Sequence, residues 1–141
     1  MQLTGEIQRG VNKIKIAIIE DNKDQVFDIM QLLENAHFTE CTVFFDDDSM
    51  ALNYFDKWIY DVNLIPELIL LDMNISAGKG QSFLRQLKKL KLRINKKITV
   101  CMYNSASAQA EPVFTDLEEN AGLVCTPVNL NTFCNLLNQL N

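Results

Sequence analysis

Short apolar runs alternate with amphipathic stretches along this chain. Ile14-Lys15-Ile16-Ala17-Ile18-Ile19 and Leu68-Ile69-Leu70-Leu71 read as buried strands, and both end in carboxylates, Glu20-Asp21 and Asp72. A helix over Lys23 to Asn35 places Val26, Met30 and Leu33 on one face. Cys41 to Phe45 is strand-like, and Asp48-Ser49 offers an N-cap for a second helix carrying Leu52 and Phe55. Lys57 to Ile65 has no regular pattern, and Pro66 stands before the third strand. Ser76-Ala77-Gly78-Lys79-Gly80 predicts a turn feeding a helix with Phe83, Leu84, Leu87 and Leu90.

Ile98 to Tyr103 predicts a fourth strand, and Pro112 opens a helix running through Leu117 to a stop near Ala121-Gly122. A short fifth strand, Leu123-Val124-Cys125, is expected to break at Thr126-Pro127. A closing helix over Leu130 to Leu140 carries Phe133, Leu136, Leu137 and Leu140. Residues 1 to 12 are polar and read as a loose arm, leaving one domain over residues 13 to 141.

Five β-α units in a chain this short imply an α/β fold: a doubly wound, flavodoxin-like, five-stranded parallel sheet in the order 2-1-3-4-5, with helices on both faces. Such sheets bind ligands outside the carboxyl ends of the strands, beside the switch between strands 1 and 3. Glu20, Asp21 and Asp72 all fall there, so one acidic pocket is expected. An unpaired carboxylate at the end of a buried strand loses hydration and requires a metal, donors or water.

Composition narrows the function. The chain has 141 residues, 48% of them hydrophobic, and a formal net charge of -5, a field that repels phosphate backbones and anionic membranes. Neither a spanning segment nor a secretory hydrophobic region is legible, and a cytoplasmic location is expected. Cys41, Cys101, Cys125 and Cys134 form no C-x-x-C pair and read as small buried thiols. His37 is the only histidine, which rules out a His-based metal cluster or a phosphohistidine relay pair built by this chain alone.

The segments Ile18-Ile19-Glu20-Asp21-Asn22, Pro66-Glu67-Leu68-Ile69-Leu70-Leu71-Asp72-Met73-Asn74 and Thr126-Pro127 resemble, in order and spacing, the receiver domains of two-component response regulators. The resemblance spans about residues 14 to 140. It implies that Asp72 is the phosphoacceptor, that Asp21 and Asp72 bind Mg2+, that Glu20 supports the metal through water, and that the Asn74 carbonyl completes the protein's share of the coordination. It further implies a histidine kinase or histidine phosphotransfer protein as donor, with output to a downstream protein through the Pro112 helix, the fifth strand and the closing helix. A carboxylate nucleophile opposite a phosphoryl group, with Mg2+ offsetting crowded charge, is sound chemistry for such a site. The chain would then be a phosphoacceptor signalling domain rather than an enzyme.

Departures from the family pattern bear on the same site. Thr126 stands where the family carries a lysine, and a threonine supplies no cation to a phosphoryl group. Lys79 and Lys97, close in sequence to strand ends, are candidate substitutes. Either Asn104 or Ser105 fills the position of the switch hydroxyl, and both types can donate to a phosphoryl oxygen. Val124 replaces the usual mobile aromatic, with Tyr103 as an alternative rotor. Two other readings follow: a degenerate receiver working as a phosphate-independent interaction module, and an aspartyl-nucleophile phosphohydrolase suggested by Asp72-Met73-Asn74-Ile75-Ser76. Asp46-Asp47-Asp48 is expected to serve the second helix's dipole and solvent.

Overall fold

The computed structural model describes residues 14–104 and 123–140. The N-terminal arm, Ser105 and the Pro112 helix lie outside the described residues. Five strands form one parallel sheet in the order β2-β1-β3-β4-β5, as the pattern predicts: β1 (Ile16–Ile19), β2 (Thr42–Phe45), β3 (Leu68–Asp72), β4 (Ile98–Tyr103) and β5 (Leu123–Pro127). The helices are α1 (Lys23–Asn35), α2 (Asp48–Lys57), α3 (Gly80–Lys91) and α4 (Leu130–Leu140).

The sheet is covered on both faces, which is why its central strands are apolar at every position. Every residue of β1 and β3 is buried. Ala17, Ile19, Ile69, Leu71, Val100 and Met102 pack beneath Ala51 and Phe55 of α2 and Phe83, Leu84 and Leu87 of α3. Ile16, Ile18, Leu68, Leu70, Cys101 and Tyr103 pack beneath Ile29 and Leu33 of α1 and Phe133 and Leu137 of α4. Successive residues of a strand point to opposite faces, so each apolar run feeds both layers.

Helix ends follow local chemistry. The Asn22 side chain accepts from Gln25 N–H at 3.1 Å and caps α1. At its other end Phe38 N–H donates to Leu33 and His37 N–H to Glu34, a Schellman closure with His37 at φ 65. The lone histidine is thus an exposed helix stop. The patternless stretch before β3 is pinned by Lys96, whose ammonium lies 2.7 Å from the Ile65 carbonyl and 2.9 Å from Glu67 Oε1.

Three expectations change. The fifth strand does not break at Thr126-Pro127; it continues through Pro127, which pairs in register with Met102. Proline is tolerated there because β5 is an edge strand and needs no donor on its open side. Of the four cysteines only Cys101 is fully buried, burial pushing its thiol up to about 12; the others are half-buried. The cap of α2 is Asp47, which accepts from Ser49 N–H at 2.6 Å, and not Asp48.

Gly80 opens α3 against the backbone that leaves β3: a Cβ built there would lie 2.6 Å from Met73 Cα and 2.8 Å from its carbonyl oxygen. Both contacts are backbone, so nothing can swing aside. Gly80→Ala is expected to destabilise the fold by about 1–3 kcal/mol, as overpacking does, read by urea unfolding; unchanged stability would place the α3 entrance farther from β3.

Candidate active site

β1 and β3 run side by side in register, Ile19 beside Leu71, so the residues that follow them emerge together. Glu20, Asp21 and Asp72 each place a carboxylate oxygen within 4.8 Å of the others. Glu20 and Asp72 are only 1% exposed, whereas Asp21 is open to solvent. Asp72 Oδ1 accepts from Asn74 N–H at 2.9 Å, and Met73 N–H donates to the Tyr103 carbonyl at 2.8 Å, so β4 fixes the turn that carries the carboxylate.

Glu20 is the least comfortable member. Its Oε2 accepts from Asn22 N–H at 3.1 Å, but Oε1 is buried with no donor among the described residues. Burial pushes the carboxyl up to about 8, reinforced by hydrogen bonding to Asp72 and repulsion from Asp72 and Asp21. An oxygen so placed requires a proton or a cation. Three carboxylates at this spacing, one side open, suit a hard divalent ion that takes oxygen ligands and keeps several waters.

The loop after β3 closes the pocket at a conformational cost. In the turn Ile75–Gly78, Ser76 (φ 52) and Ala77 (φ 62) are left-handed, which costs about 1–2 kcal/mol per residue. Ser76 holds the turn twice: its N–H donates to Asp21 Oδ2 at 3.1 Å and its hydroxyl to Asp48 Oδ1 at 2.8 Å. Asp48 is 7% exposed, so the expectation of a solvated helix-entrance acid fails for it. Sequence reading had no signal for this bond, because only the β2-β1-β3 order brings the start of α2 beside the β3 loop.

The remaining predicted residues are distributed unevenly. Asn74 Nδ2 donates to Asn104 Oδ1, tying the end of β3 to the end of β4. The Asn74 carbonyl already accepts from Gly78 N–H at 3.1 Å, which leaves its second lone pair for a cation. Thr126 is exposed and pairs with Cys101, which pairs with Leu70; it therefore shares Asp72's face but sits two residues farther back. Lys97 precedes β4 at the opposite edge of the sheet, so it is no substitute cation, and Lys79 is exposed just before α3. Tyr103 is 5% exposed.

Solved structures similar to this chain include response regulators. The phosphorylated cyanobacterial phytochrome response regulator RcpA superposes with a TM-score of 0.55 at 23% identity, covering 91% of each chain. The chain has the receiver fold. A receiver domain from Rhodospirillum rubrum gives 0.52 at 23% identity over 90% of each chain, and the Mn2+-bound form of response regulator Rcp1 gives 0.50 at 19% identity over 90% of this chain and 91% of its own. No protein family model and no curated protein matches the sequence. Among the described residues no helix is long and apolar enough to cross a membrane.

The raised Glu20 predicts the pH behaviour of this receiver fold without metal. The unfolded carboxyl titrates near 4.5 and the folded one near 8. Between those values the folded state holds the extra proton, so stability is highest below pH 4.5 and falls as pH rises to 8, by at most about 1.4 kcal/mol per pH unit from this group. Glu20→Gln should flatten that window in chemical unfolding with EDTA present. An identical slope in the variant would show that Glu20 is hydrated.

Proposed function

We propose that this chain is a signalling receiver in which Asp72 accepts a phosphoryl group from a histidine kinase or a histidine phosphotransfer protein, with Mg2+ as the metal. The observation that carries this reading is Asp72 itself: a carboxylate 1% exposed at the end of a central strand, oriented by Asn74 N–H and facing two further carboxylates. A cluster of three acids at a strand end favours a soluble metal and an incoming oxyanion.

In the proposed transfer an Asp72 oxygen attacks phosphorus, the new O–P bond forms as the N–P bond of phosphohistidine breaks, and the electron pair leaves with the imidazole nitrogen. The Asn74 N–H holds the nucleophile in one rotamer. The Asn104 side chain, at the end of β4, would sense the phosphoryl oxygens, the role assigned by resemblance to Asn104 or Ser105. Asp21 and Asp72, helped by Glu20 and the Asn74 carbonyl, would hold the cation, which supplies charge neutralisation when bound. The phosphorylated state would be read by a protein partner at β5 and α4, which adjoin the site.

Thr126 favours a second reading, a phosphate-independent interaction module, because it offers no cation and is set back from Asp72. Two experiments separate them. Intact-mass measurement after acetyl phosphate and Mg2+ should show one added phosphoryl group in the native protein and none in Asp72→Asn or with EDTA; no gain in the native protein supports the phosphate-independent reading. Thr126→Lys should raise that labelling severalfold. Its stem must cross two strand spacings and two residues of rise, about 12 Å between Cα atoms, which lysine and aspartate side chains together can bridge. Unchanged labelling would mean the ammonium turns to solvent.

A further inference from the structure

A cavity of about 340 Å³ opens beside the acidic pocket, lined by Gln25 of α1, Tyr103 and Asn104 at the end of β4, and Val128, Asn129, Leu130 and Asn131 leading into α4. None of the three clustered carboxylates lines it. Its volume is in the range that holds a small molecule.

Its polar groups are incompletely satisfied. The Tyr103 hydroxyl is buried with no hydrogen-bond partner among the described residues, on a side chain only 5% exposed. Gln25 Oε1 is likewise buried and unpartnered. α4 has 11 residues and begins at the cavity wall. The Asn129 side chain caps it by accepting from Thr132 N–H at 2.8 Å, while the amides of Leu130 and Asn131 are first-turn donors that the helix itself cannot satisfy. The cavity wall therefore offers donors from the start of α4 and the Tyr103 hydroxyl, an acceptor from Gln25, and apolar surface from Val128 and Leu130.

That set is selective. A helix N-terminus favours a carboxylate. Among the described residues no lysine, arginine or histidine lines the cavity, and the protein's net charge is -5, so a purely anionic ligand is disfavoured. A zwitterion meets both conditions. We propose that this cavity binds a small apolar α-amino acid: the carboxylate accepts from the Leu130 and Asn131 amides and the Tyr103 hydroxyl, the ammonium donates to Gln25 Oε1, and the side chain lies on Val128 and Leu130. Asn104 is the wall shared with the acidic pocket, but binding requires neither metal nor phosphorylation.

The test is an NMR titration of the metal-free protein with L-leucine, alongside leucinamide, which lacks the carboxylate, and N-acetyl-leucine, whose amide replaces the ammonium as at a chain's C-terminus. Leucine should shift the Leu130 and Asn131 amides saturably, and both analogues should bind at least tenfold more weakly. Tyr103→Phe and Gln25→Ala should each weaken leucine about tenfold, as loss of a hydrogen bond to a charged group does. Asp72→Asn should bind leucine like the native protein, whatever becomes of phosphorylation. The proposal is overturned by non-saturable shifts, by leucinamide or N-acetyl-leucine binding as well as leucine, or by unchanged affinity in a Tyr103→Phe protein whose unfolding midpoint matches the native one.

Discussion

Two carboxylates held out of water at the end of a parallel sheet, Glu20 and Asp72, set the terms for the surrounding structure. Glu20 accepts from the backbone amide of Asn22 and Asp72 from that of Asn74. Backbone donors orient a carboxylate without neutralising it. The raised Glu20 carboxyl is the thermodynamic trace of that choice.

The loop after β3 answers the same constraint. Two consecutive left-handed residues without glycine are tolerated because Ser76 donates once to Asp21 and once to Asp48. The strained turn, the exposed Asp21 carboxylate and the entrance of α2 are thereby one hydrogen-bonded unit, and Gly80 lets α3 start against the Met73 backbone on its far side. Local strain of this kind persists only where neighbouring contacts over-determine it. On the other side of Asp72, the Asn74–Asn104 bond joins β3 to β4. Asn104 also borders the cavity at the start of α4.

The edge strand explains why the site is less complete on one side. β5 remains paired with β4 through Pro127, and Val128 N–H donates to the Met102 carbonyl at 2.8 Å, which fixes Thr126 two residues short of Asp72. The same geometry that makes β5 an edge leaves Thr126 exposed, so its neutrality has little effect on the fold.

Composition and period decided most of the architecture. Apolar runs of strand length, separated by amphipathic segments, specify β1, β3, β4 and the helices α1, α3 and α4, because a strand covered on both faces must be apolar at successive positions and a helix on one side only. The acidic strand ends followed from the same runs, so Glu20, Asp21 and Asp72 could be placed at one edge from sequence once the strand order was inferred. Tertiary structure alone decided what lies between elements distant in sequence. Asp48 looked like a solvated helix-entrance acid until chain topology set it against Ser76; Thr126 and Pro127 looked like a break until pairing with β4 carried them into the sheet. The cavity joining Gln25 to Tyr103 and Leu130 has no sequence signal, since burial and missing partners are properties of packing and not of residue order.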